Sequence, residues 1–136
     1  MLDTDVCIHM INRRSGYQSV ITRMDGLHYG QIVISAITEA ELAYGVARGA
    51  RQADNQTALL MFIQRFEVAP FDHEAAQTYG PLRQALQAGG QPIGPLDMLI
   101  AAHAQSTGCT LVTHNVREFS RVTDLAVEDW VAGISR

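Results

Sequence analysis

The sequence predicts an α/β fold around a mainly parallel sheet, and two observations predict it. Short runs rich in β-branched residues alternate with helix-patterned segments along the chain, and those runs are apolar at nearly every position instead of at every second one. A strand that is apolar on both faces must be covered on both, and helices supply that cover in parallel sheets. Gln31-Ile-Val-Ile-Ser35 and Cys109-Thr-Leu-Val-Thr113 have this character. Ligands of such sheets bind outside the carboxyl ends of the strands, so acids at strand tips are the first residues to weigh.

In chain order, residues 1–4 read as the end of a short strand and 6–13 as a helix, which leaves Asp3 at a strand's carboxyl end; Asp5 reads as the cap of that helix. Residues 17–27 are amphipathic, and 31–35 form the second strand. Residues 37–47 carry Leu42, Val46 and alanines at helical spacing, with Ser35 or Thr38 as cap and Glu41 inside. A helix over 55–66, a strand over 67–71 and a helix over 72–88 follow; the last starts on an aspartate cap and ends at Gly89-Gly90, and Pro81 is a place for it to bend or divide. Pro92-Ile-Gly-Pro95 leads into an alanine-rich helix over 96–105 that closes near Gly108, and 109–113 is a further buried strand. There is no repeat, low-complexity tract or linker.

The 136 residues suit one domain, 1–136, with 47% hydrophobic and 18% charged residues to build a core and a surface. No apolar run nears the roughly 20 residues of a membrane span, and Met1-Leu2-Asp3 opens the chain without a charged-then-apolar leader, so the expected location is the cytoplasm, with no membrane partner. Cys7 and Cys109 are too few for a disulfide scaffold or a zinc site and read as reduced, buried thiols. The net charge of −4 and the absence of lysine argue against a long phosphate-binding surface. Carboxylates gathered around a cation inflate that tally, however, so nucleic acid stays open as a partner.

Asp3 ends the first strand, Asp97 opens the helix that feeds the strand at 109–113, and Asn115 follows that strand; Glu41 reaches the same rim through a right-handed crossover. Carboxylates packed together raise one another's pKa unless a cation compensates them. With oxygen donors and no His/Cys set at metal spacing, Mg²⁺ is the expected ion, Mn²⁺ a substitute, and phosphodiester hydrolysis the chemistry that such an ion serves. Each acid also has an ordinary structural role open to it: a turn or cap for Asp3, a dipole-complementing first-turn acid for Asp97. Glu41, on an apolar helical face without a basic neighbour, is the hardest to explain that way. Asp5 is otherwise a supporting partner of the site; Asn115 and Glu118 share a face if their segment is helical, and Arg117 is a surface arginine or a phosphate contact. The five histidines show no evident pairing with a serine or cysteine and read as surface or core residues, His114 lying nearest the rim.

Taken together, MLDTD, SAITEAELAYG, GPLDMLIAAHA and LVTHNVREF, in this order and spacing over nearly the whole chain, resemble the PIN-domain toxins called VapC, and RVTDLAVEDW is similar to their initiator-tRNA-specific subgroup. The resemblance implies a single PIN-like domain with a mainly parallel central sheet flanked by helices. It also implies a metal-dependent endoribonuclease that cuts initiator tRNA in the anticodon stem-loop. Such a toxin is silenced by a VapB-type antitoxin laid in its groove, and it forms homodimers that join antitoxin into larger assemblies. Asp3, Glu41 and Asp97 match the family's acids; Asn115 stands where the family often has aspartate, with Glu118 a candidate to supply the missing charge. Two alternatives remain at this stage. Asp3-Thr4-Asp5-Val6 imitates the strand tip of haloacid-dehalogenase-like phosphatases, which usually need a lysine that this chain lacks, and a PIN-like module weak in catalysis could simply bind a partner.

Overall fold

The computed structural model describes residues 1–132, and its sheet is parallel throughout. The elements run α1 (Thr4–Ile11), α2 (Tyr17–Met24), β1 (Val33–Ser35), α3 (Ala36–Ala47), α4 (Gln52–Ile63), β2 (Glu67–Ala69), α5 (His73–Ala88), α6 (Pro95–Thr107), β3 (Leu111–Val112), α7 (Val116–Phe119) and β4 (Val127–Glu128). β1 pairs with β2, with Val33 opposite Glu67, and β3 pairs with β4, with Leu111 opposite Val127. Leu2 joins the two halves through parallel bridges to Ile34 and Val112, giving the order β2-β1-Leu2-β3-β4.

The amino-terminal segment is therefore the middle of the sheet. The Leu2 and Asp3 amides donate to the Val33 and Val112 carbonyls at 3.0 and 2.9 Å, and the Val112 amide donates back to Met1 at 2.8 Å. A middle position demands apolar side chains on both faces. Leu2 is fully buried in the core beneath α1, α2 and α4, while Met1 enters the second core beneath α5 and α6, as strand alternation requires. The expected α/β fold with its parallel sheet is the fold observed.

Local differences have local causes. The first helix starts at Thr4, and its cap is Asp3, not Asp5: Asp3 has extended backbone and its Oδ1 accepts from the Val6 amide at 2.9 Å, which leaves Asp5 in the first turn. α5 runs unbroken through Pro81, since Leu82 and Leu86 on one side and Ala75 on the other are buried and hold both halves in one helical path. α4 begins three residues earlier than the apolar spacing indicates, because its first turn is exposed and polar and leaves no periodic trace. β4 escaped the sequence reading altogether: two residues on an edge carry no pattern, and only the Leu111 and Thr113 amides, donating to Ala126 and Glu128, mark it as a strand. Both cysteines are free thiols, but Cys109 is only partly buried while Cys7 is enclosed. No helix among the described residues is long and apolar enough to cross a membrane.

Candidate active site

Because the Leu2 bridge ends at Asp3 and β1 ends at Ser35, the chain leaves the sheet at neighbouring points on one rim and enters α1 and α3 there. Asp3 is 3% exposed. Burial pushes its carboxyl up to about 6, against the opposing pull of hydrogen bonds from the Thr113 side chain and the Val6 amide; the negative charges of Asp5 and Asp97 push further up. Asp97 sits in the first turn of α6 and is likewise raised to about 6, first by burial and then by the charges of Glu41, Glu118 and Asp5. Charges act this way only at short range, so Asp97 lies within electrostatic reach of Glu41, Glu118 and Asp5, and Asp3 within reach of Asp5 and Asp97. No arginine among the described residues lies within ion-pair distance of any of them.

The threonines around the rim explain how the acids are held. Thr4 Oγ1 is 2.6 Å from Glu41 Oε1 and 3.1 Å from Thr38 Oγ1; its single proton goes to the carboxylate, and the buried Thr38 hydroxyl donates to Thr4. Thr113, also buried, accepts from the Asn115 amide at 3.0 Å while its hydroxyl turns to Asp3. Asn115 caps α7, and its side-chain amide donates to the Glu118 carboxylate, so the two do share a face. Gly94 lets Asp97 turn inward: a Cβ there would stand 3.2 Å from Asp97 Oδ2. The sequence reading gives no site role to Thr4, Thr113 or Gly94 and takes Thr38 only as an alternative to Ser35 for the cap of α3, which is Ser35, although each threonine lies within three residues of a candidate acid or of Asn115, and that adjacency was the available signal.

Asp3, Glu41, Asp97 and Glu118 are thus brought together, with Asn115 at the edge holding Glu118 and Asp5 near enough to act on both aspartates. Arg117 is exposed beside them and makes no ion pair among the described residues. The histidine reading needs one correction: His103 is 1% exposed, and its Nδ1 lies 2.8 Å from Ser35 Oγ, so it does pair with a serine. His114 is anchored 3.1 Å from Asp129, and His9 packs edge-on against it with ring centroids 5.6 Å apart.

Among the described residues no group of three or more His, Cys, Asp or Glu side chains is already drawn into the geometry of a cation cage. The donor set nevertheless fits a hard divalent ion. It consists of oxygens alone, it carries uncompensated charge, and burial makes that charge costly in the absence of a cation.

Next to the acids runs a groove of about 720 Å³ between α1, α3 and α4, with Ile8, Ile11, Leu42 and Tyr44 among its walls and Thr4 and Glu41 at its boundary with the site.

A parallel sheet with acids converging on the carboxyl rim of its middle strand defines a class, and the PIN domain matches residues 1–125; this chain belongs to the PIN-domain family. Its relatives narrow the class. The chain is 40% identical to a tRNA(fMet)-specific endonuclease VapC of Shigella flexneri, with 96% of each chain covered, and 39% identical to Ribonuclease VapC2 of Rickettsia felis, again with 96% of each covered. Among solved structures, DNA-bound VapBC from Salmonella typhimurium superposes with a TM-score of 0.89 at 38% identity over 96% of both chains.

Proposed function

We propose that this chain is the toxin of a VapBC-type toxin–antitoxin pair: an endoribonuclease that hydrolyses RNA phosphodiester bonds with Mg²⁺, or Mn²⁺ in its place, and whose target is initiator tRNA. The observation that carries the reading is the pair of aspartates held near 6 by burial and by acids from distant parts of the chain, with no basic side chain among the described residues paired to either. Asp3, Glu41 and Asp97 hold the cation. Glu118 supplies the further charge, Asn115 orients Glu118, and Asp5 adds negative potential. The bound ion would polarise the phosphate and lower the pKa of a water.

The chain's own residues do the positioning. Asp3 is fixed at two points, by the Val6 amide and the Thr113 hydroxyl, so its carboxylate keeps one orientation. Thr4 does the same for Glu41. Arg117, exposed and next to Glu118 in α7, is available to phosphate oxygens, where a guanidinium contributes orientation as well as charge. A single-stranded loop is a physically suitable substrate, since its backbone can be splayed across a narrow rim. The apolar groove receives a segment of the antitoxin, whose end reaches Glu41 and Thr4 and so meets the site it silences; homodimers and larger antitoxin assemblies, in the cytoplasm, complete the reading. The phosphatase alternative loses its footing, because Asp3 Oδ1 is engaged by a backbone amide and the chain has no lysine.

The test is cleavage of purified initiator tRNA, elongator tRNA and unstructured RNA by the free protein with Mg²⁺, with Mn²⁺ and with chelator. Cleavage restricted to initiator tRNA and dependent on the ion is the expected outcome. No cleavage of any RNA under any of these conditions overturns the assignment in favour of a binding module.

A further inference from the structure

Glu41 and Asp97 repel each other, and no side-chain bond joins them directly; α3 and α6, which carry them, pack together. Something must oppose that repulsion without adding charge. Ser35 caps α3, its Oγ accepting from the Ile37 amide at 3.0 Å and lying 2.8 Å from His103 Nδ1 across 68 residues of sequence; with the imidazole neutral, the hydroxyl proton is assigned to Nδ1. The other ring nitrogen is then a donor, and the Pro70 carbonyl just after β2 takes its hydrogen bond. Phe71 closes the pocket, its ring edge-on to the imidazole at 5.4 Å and 76°. This arrangement needs a neutral imidazole, and burial holds the pKa of His103 below its usual value.

We infer that His103, through Ser35 and the Pro70 carbonyl, is a positioning residue that sets the spacing of Glu41 and Asp97 by clamping α6 to the start of α3. It rests on the cation-site reading above. The two acids each lie six residues along their helix from the clamp, about 9 Å at 1.5 Å per residue, and a hydrogen-bonded helix transmits a displacement over that length with little loss. Ser35, Pro70 and His103 are the last residue of one strand, the residue after another and a residue of the packed helix, so the clamp ties three separate elements, with Ser35 and His103 both buried. An apolar replacement of the imidazole would leave the buried Ser35 hydroxyl with the Ile37 amide as donor but no acceptor for its own proton, and would remove the tie between α6 and the start of α3.

The experiment compares full-length wild type, His103→Leu, His103→Asn and Ser35→Ala in three measurements: the rise in melting temperature on adding Mn²⁺, kcat and KM for RNA cleavage, and the Mn²⁺ concentration giving half-maximal rate. His103→Leu is expected to lower kcat about tenfold with KM within twofold, to raise the half-maximal Mn²⁺ concentration several-fold and to shrink the Mn²⁺-induced melting shift. His103→Asn, which can keep a polar atom facing Ser35, recovers at least half of each loss. Ser35→Ala follows His103→Leu in direction. A His103→Leu protein with wild-type kcat and an undiminished Mn²⁺ shift overturns the inference, as does an asparagine variant no better than leucine. If His103→Leu does not fold, His103→Asn against Ser35→Ala decides: support requires asparagine above alanine in both kcat and Mn²⁺ shift, and equality overturns it. If wild type cleaves no RNA, the functional reading fails separately, and the Mn²⁺ melting shifts alone then judge the clamp by the same ordering.

Discussion

The acid cluster and the groove beside it share α1 and α3, yet they hold opposite kinds of unfavourable energy. In the cluster, charge is buried: Asp3 at 3% exposure has neighbours of its own sign. In the groove, apolar surface is left in water, with Ile11 at 37% and Tyr44 at 67% exposure. Each defect would be relieved by a different guest, a cation in the first and an apolar segment in the second. Glu41 and Thr4 stand on the boundary, so a guest in the groove would reach atoms of the proposed cation site. On the proposed function the contrast makes the two binding events coupled by geometry, through the shared boundary at Glu41 and Thr4.

The largest effect expected on that comparison is from Asp97→Asn. Removing one charge should lower RNA cleavage by about 100-fold or more, while the cation-free protein melts at a higher temperature than wild type because repulsion is relieved. Melting curves and initial rates check both. A lower melting temperature would show that Asp97 is not under repulsive load.

Next comes pH. Asp3 and Asp97 ordinarily titrate at 3.8 and here at about 6, so the folded protein binds protons more tightly than the unfolded chain. The stability this confers is fully present below about 4 and is lost as pH rises through about 6; for Asp3 alone the difference amounts to roughly 2–3 kcal/mol. Cation-free protein should therefore melt higher at pH 5 than these two groups allow at pH 7.5, and Mg²⁺ should raise the melting temperature more at pH 7.5 than at pH 5. Equal Mg²⁺ shifts at the two pH values would separate the cation from these carboxylates.

Ile11→Asp probes the other region. A charge on the groove wall is expected to weaken antitoxin binding about tenfold or more, with cleavage by the free toxin changed less than twofold. Equal losses in both assays would merge the two regions into one. The smallest effect is from Gly94→Ala, whose methyl meets Asp97 Oδ2 at 3.2 Å: a rise of about threefold in the Mg²⁺ concentration for half-maximal rate, with unchanged melting temperature, would confirm that the glycine serves the carboxylate.

How much of this was legible beforehand differs from element to element. The strand at 31–35, the aspartate cap and double-glycine end of α5 and the Gly108 stop of α6 could be read because each is a local preference written at fixed spacing. Asp5 was misread as a cap because Asp3 and Asp5 are equivalent in composition; only the helix's starting residue tells them apart, and pairing with Val33 and Val112 sets that start. β4 and the His103–Ser35 bond left no pattern, since both depend on partners far away in the chain.

The sequence by itself determined the α/β class, the ends of α5 and α6 and the identity of the acids worth considering, because propensity, capping and apolar period act over a few residues. Only the tertiary structure decided that Met1 to Asp3 forms the middle of the sheet, that threonines fix the acids, and that His103 faces Ser35. Those arrangements arise from burial, which makes hydrogen bonds and charge pairs strong between residues that the chain keeps far apart.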